Sequence, residues 1–235
     1  MQDLAASFSV AFSLVLSGNA DLIEIVGLSL RVSVSAVVIA CGLGLPLGAA
    51  LAVSRFPGHG AVLVAVNALM GLPPVVVGLL VYVTLSSSGP LGWLQLLYTP
   101  TAMIVAQTVL ITPIVIALSR EILSQLHEEY DEQFRSLCLP AHRAIAALLW
   151  DARFNLLTVA LAGFGRAVAE VGAIIIVGGN INHLTRMMTT AIALETSKGE
   201  LALALALGIV LLLIALAVNA GVMALRGGAS RYASA

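Results

Sequence analysis

The sequence predicts an all-α, polytopic membrane protein with about five transmembrane helices and one polar cytoplasmic helix between the third and fourth. Three observations predict it. The 235-residue chain is 60% hydrophobic and only 10% charged, and a mean hydropathy of +1.06 excludes an ordinary soluble domain. Five stretches approach the ~20 apolar residues that cross a hydrocarbon core of ~30 Å. One polar, helix-forming island, EEYDEQFRSLCLPAHRAIAALLWDAR (Glu128–Arg153), interrupts them. These features divide the chain into an N-terminal peripheral segment (1–20), a transmembrane domain (21–226) holding a polar region at 120–153, and a cytoplasmic tail (227–235).

The chain starts without a basic n-region, its first charge being Asp3, so a secretory signal is not expected. Phe8–Leu16 is too short to span. It is expected to form a short amphipathic helix on the membrane surface or against a neighbouring subunit. The first span, Ile25–Val53, contains GLGLPLGAA (Gly42–Ala50). Small residues let helix backbones approach closely in lipid, so this face should pack on other helices. The second span, Ala61–Leu85, contains GLPP. Pro73 and Pro74 remove two amide donors and break the helix locally. Such a break suits a pore-lining bend or a packing kink, provided protein or a water-filled path covers it.

SSSGPLGW (Ser86–Trp93) reads as an external turn, with Trp93 and Tyr98 suited to the interface. The third span, Thr99–Ser119, holds Gln107 and Pro113. A lone amide in lipid is expected to bond a neighbouring helix or to line a path. The fourth span, Phe154–Val177, places Arg166 and Glu170 four residues apart on one helix face. Charges at that depth normally meet a partner or a cavity. In the segment after it, Thr185, Arg186, Thr189 and Thr190 offer hydroxyls and a base for an external vestibule, or for capping and loop packing. The fifth span, Leu201–Leu225, is nearly featureless and is expected to face lipid.

Orientation follows from the basic residues. With five spans, Arg55, Arg120, Arg135, Arg143, Arg153, Arg226 and Arg231 fall on one side, against Arg31, Arg186 and Lys198 on the other. The excess places the island and the C-terminus in the cytoplasm and the N-terminus outside. A formal net charge of -1 gives no basis for nucleic-acid binding. Cys41 and Cys138 form no disulfide framework, and no two histidines have zinc-ligand spacing. The chain carries no phosphate-binding loop and no nucleophile–base pair, so no catalytic residue is expected. The island therefore reads as a docking surface for a soluble partner. The rival readings are a self-sufficient transporter or channel, which needs a coupling-ion site, and an intramembrane enzyme, which needs paired catalytic residues at depth.

The island resembles the signature loop of bacterial ABC-importer permeases. Glu132-Gln133-Phe134 stands where that motif begins with Glu-Ala-Ala, and Cys138 stands where it has Gly. Leu148 takes the Ile position, and Trp150-Asp151 replaces Leu-Pro. More of the chain is similar to permeases of the tungstate type and their molybdate relatives, from about Leu28 to Asn219. SLRVSVSAVVIACGLGLPLGAALA, LMGLPPVVVGLLVY, LYTPTAMIVAQTVLITPIVIAL and GRAVAEVGAIIIVGGNI carry the resemblance, with TRMMTTAIALETSKGE.

The resemblance implies a type I ABC-importer permease fold, a homodimer with its pore between two copies, and a place in the bacterial or archaeal inner membrane. It implies two ATPase subunits that bind ATP and Mg, and an extracytoplasmic protein that delivers an oxyanion, tungstate or alternatively molybdate. It implies that no cofactor resides in this chain itself. A coupling helix around Leu139–Ile145 would sit in an ATPase groove, with Glu132, Arg135, Cys138, Leu139, Pro140, Ala141, His142 and Arg143 as the coupling residues. The missing amide of Pro140 suits a helix start.

Overall fold

The structure, a computed structural model, describes residues 4–233; the side chains of Arg226 and Arg231, used above for orientation, lie outside what it describes. Its helices are α1 (Leu4–Ser17), α2 (Ala20–Val53), α3 (His59–Met70), α4 (Pro74–Leu85), α5 (Pro100–Ser136), α6 (Ala141–Asp151), α7 (Arg153–Val168), α8 (Gly172–Gly178), α9 (Met188–Lys198) and α10 (Leu201–Ala233). By length and composition α2, α5 and α10 each suffice to cross a membrane. Counting each bent pair, α3 with α4 and α6 with α7, as one span gives up to five.

The centre of the fold is the α2–α5 pair. Asn19 starts α2: its side-chain oxygen accepts from the amides of Asp21 (2.9 Å) and Leu22 (3.4 Å). The small-residue stretch then meets α5. A methyl group on Gly44 would lie 2.7 Å from Val115, and one on Gly48 would lie 2.8 Å from the carbonyl oxygen of Ile116. Absent side chains let the two backbones touch, as the sequence predicts for this face. Around the contact, Ala36, Ala40, Ile111, Val115, Leu123, Leu148 and Val159 form one apolar core joining α2, α5, α6 and α7.

The second predicted span is two helices meeting at 98°. Pro73 caps α4 and Pro74 occupies its first turn, where a missing amide costs no hydrogen bond. The fourth is also interrupted: α7 ends at Val168 and α8 begins at Gly172, so Phe154–Val177 is not one continuous helix. The third extends beyond its expected end. α5 runs 37 residues through Pro113 to Ser136, so much of the polar island is the overhang of a spanning helix. α1 packs on α10, with Ala11 buried and Phe12 and Leu16 exposed. The far part of α10 exposes Leu212, Leu213, Leu216 and Met223, the surface of a lipid-facing helix.

Candidate functional site

The polar end of the molecule is built by the turn between α5 and α6. The amide of Leu139 donates to the carbonyl of Phe134 (2.9 Å), and that of Cys138 to the carbonyl of Arg135 (3.1 Å). This pair of bonds closes a helix around a left-handed residue. That residue is Cys138, at φ 49°. Pro140, in extended conformation, is then the cap of α6 and not its first residue. Ala144 and Leu148 bury one face of α6 against α2 and α5. Ala141, His142 and Arg143 are exposed, as are Glu132, Arg135, Cys138 and Pro140; Leu139 is half-buried.

Three contacts brace this end. The Tyr130 hydroxyl donates to Asp151 (3.0 Å), which ties the overhang of α5 to the last residue of α6; this bond holds the Tyr130 pKa above its ordinary value. Arg135 pairs with Asp131 at 2.7 Å. Arg153 lies over the rings of Trp150 and Phe154 at 4.8 and 4.7 Å and donates to the Trp150 carbonyl. Trp150 and Leu137 remain largely exposed beside the charges. Apolar side chains interleaved with charge on a braced, exposed helix suit a protein partner.

A second cluster forms where two helices break side by side. A methyl on Gly172 would lie 2.9 Å from Val75, and one on Gly78 would lie 2.7 Å from the Cα of Ala173. The starts of α4 and α8 are therefore in contact. Glu170 is buried between α7 and α8. One carboxylate oxygen pairs with Arg166, and the other accepts from the amide of Ala173 in the first turn of α8 (3.0 Å). Its main-chain carbonyl accepts from the Thr189 hydroxyl (2.8 Å). Gln107 is fully buried on α5 and donates to the carbonyl of Ala167 (2.9 Å), joining α5 to the end of α7.

The loop between α8 and α9 closes the opposite end. The Thr185 hydroxyl bonds the carbonyl of Gly178 and accepts from the amide of Ile181. The Thr190 hydroxyl accepts from the amide of Met187 (3.0 Å), capping α9. Thr185, Thr189 and Thr190 are thus buried, with their hydroxyls engaged by the chain's own backbone. Arg186 is half-buried beside the buried Glu195 (3.9 Å), which also accepts from Lys198 (3.1 Å). Two features of this end were not connected in the sequence. Ser29 of α2 accepts from the amide of Met188 (2.8 Å). His183 meets Glu24 at 2.8 Å, with Asp21 beside them. Glu24 holds the imidazole above its ordinary pKa. These partners lie 159 residues apart, so spacing gave no signal.

Comparison with known proteins agrees with this architecture. Residues 44–227 match the family described as binding-protein-dependent transport system inner membrane component. The tungstate uptake system permease protein of Peptoclostridium acidaminophilum is 38% identical over 226 residues, which cover 96% of this chain and 99% of that protein. A probable anion ABC transporter permease protein of Haloferax volcanii is 39% identical over 85% of this chain and 88% of its own. The tungstate uptake system permease protein of Campylobacter jejuni is 42% identical over 58% and 57%. The family match spans most of the chain, the similarity to the first relative is end to end, and the helices are those of a multi-pass membrane protein. The chain belongs to the binding-protein-dependent transport system inner membrane component family.

Proposed function

We propose that this chain is the membrane-spanning subunit of an ATP-driven importer of tungstate, working as a homodimer with its path between the two copies. The observation that carries the substrate is its end-to-end similarity to a tungstate uptake permease. The braced, exposed surface of α6 supports the coupling. In this reading Glu132, Arg135, Cys138, Leu139, Pro140, Ala141, His142 and Arg143 meet a groove of the ATPase subunit. That partner binds ATP and Mg and performs the hydrolysis; this chain does no catalysis.

The mechanism follows from how the polar end is joined to the rest. α6 is tied to the overhang of α5 by Tyr130 and Asp151 and continues into α7 through a 76° bend. A groove that closes on α6 therefore moves α5 and α7 together, a rigid-body transition. Arg166 and Glu170 hold the end of α7 to the start of α8, a structural role; the carboxylate would repel an oxyanion. At the external end, Arg186 supplies a half-buried basic group for an arriving anion. Thr185, Thr189 and Thr190 shape the loop that presents it. Any anion contact there must be weak enough to release. Selectivity then resides in the extracytoplasmic binding protein. In this division of the chain, residues 1–20 are peripheral, 21–226 form the transmembrane domain with its coupling region at 120–153, and 227–235 form a tail.

The test is reconstitution in lipid vesicles with the ATPase and the binding protein. Tungstate should stimulate ATP hydrolysis and accumulate inside, with sulfate inert. Stimulation by sulfate as strong as by tungstate, or none by any oxyanion, would sink the substrate assignment. Molybdate outcompeting tungstate would replace it with the molybdate alternative.

A further inference from the structure

We propose that Asp21, Glu24 and His183 form a divalent-metal site of the zinc type that fastens the α8–α9 loop to the start of α2. The three side chains each offer one ligand atom, and those atoms lie within 4.8 Å of one another. They come from two separate elements: Asp21 and Glu24 from the first two turns of α2, His183 from the loop. An imidazole with carboxylates is a ligand set that suits zinc, whose bonds to nitrogen and oxygen are about 2.0–2.2 Å. Ligand atoms in a tetrahedral shell of that size stand roughly 3.4 Å apart. The Glu24–His183 distance of 2.8 Å is already near this value. All three side chains are exposed and free to adjust.

Two further observations favour a cation over a simple ion pair. The imidazole of His183 meets Glu24, while the carboxylate of Asp21 lies close to a second carboxylate. A divalent ion between them satisfies both carboxylates and the imidazole together. The same three residues also line a small cavity of about 10 Å³, with Asn182 and Arg186 on its wall. A cavity of that size holds about one water molecule, which zinc needs to complete four ligands around three side chains. Arg186 faces the cavity but is drawn towards Glu195.

The site does not depend on the identity of the transported anion. Its test uses the tag-free, full-length protein in lipid nanodiscs, titrated with Zn2+ by calorimetry and with Co2+ by visible absorption. One Zn2+ per chain is expected, and Co2+ should give the absorption of a low-coordinate nitrogen–oxygen site. His183→Ala should weaken Zn2+ binding by at least about tenfold, and Glu24→Gln and Asp21→Asn should each weaken it. His142→Ala, at the other end of the molecule, should leave it unchanged. Equal Zn2+ affinity in wild type and His183→Ala overturns the proposal, as does the absence of stoichiometric binding in wild type. If His183→Ala does not assemble, Glu24→Gln and Asp21→Asn decide in the same way: unchanged affinity in both means a surface ion pair only.

Discussion

Arg166 grips Glu170 across the last turn of α7, and the same carboxylate caps the first turn of α8. One side chain thus bridges the break between two helices. Removing Arg166 alone leaves a buried carboxylate uncompensated, which costs about 3 kcal/mol. Arg166→Met should therefore lower the thermal midpoint more than the double variant Arg166→Met/Glu170→Gln does. Melting in detergent checks this through a double-mutant cycle; additive effects would mean the two residues act independently.

The glycines divide into those in contact and those that are not. A methyl at Gly78 meets the backbone of Ala173, whereas one at Gly42 meets nothing within 4 Å. Gly78→Ala should destabilise by about 1–3 kcal/mol, the cost of overpacking. Gly42→Ala should be neutral or slightly stabilising. The same melting experiment on both variants distinguishes them; equal behaviour would contradict the close approach of α4 and α8.

Cys138 sits in the left-handed region where the family motif has glycine. That conformation costs a side-chain-bearing residue about 1–2 kcal/mol, against about 0.5–1 kcal/mol for the greater backbone entropy glycine loses on folding. Cys138→Gly should thus stabilise the α5–α6 turn slightly. Cys138→Val should destabilise it, since a branched side chain tolerates positive φ worst. Amide exchange at Leu139 and the first turn of α6 reads the difference.

Charge reversal at Arg143 tests the coupling face. The side chain is exposed, so Arg143→Glu should leave the melting temperature of the permease unchanged. Association with the ATPase should weaken by about tenfold or more, or hydrolysis should cease to follow transport. Wild-type assembly with wild-type uptake would remove Arg143 from the interface.

Local signals in the sequence carried much of this fold. The glycine-rich stretch announced a close helix contact, and Gly44 and Gly48 make it with α5. The double proline announced a break, and Pro73 and Pro74 stand at one. The size of that bend was not legible, because it depends on what α4 packs against. The break after α7 was hidden too. Ala169-Glu170-Val171 contains neither glycine nor proline, and the helix ends there through contacts Glu170 makes in three dimensions. The threonines of the α8–α9 loop and the first turn of α9 show the limit from the other side. Composition suggests a polar vestibule, but a hydroxyl's role depends on whether a free backbone group lies within reach. Thr185, Thr189 and Thr190 each have one.

The unbroken course of α5 has a mechanical consequence. Thirty-seven residues of helix make a rod about 55 Å long. Its overhang carries Tyr130 and Phe134 beside α6, and its inner part carries Gln107 against α7. Pivoted within the bilayer, such a rod is a lever. A tilt of about 5° about a point near its middle displaces each tip by about 2–3 Å. Pro113 removes one rung from the hydrogen-bond ladder partway along and supplies the softest joint. Pivoting at that joint, the polar tip sweeps about four times as far as Gln107, so a broad movement at the polar end reaches the buried amide as a small shift of greater force.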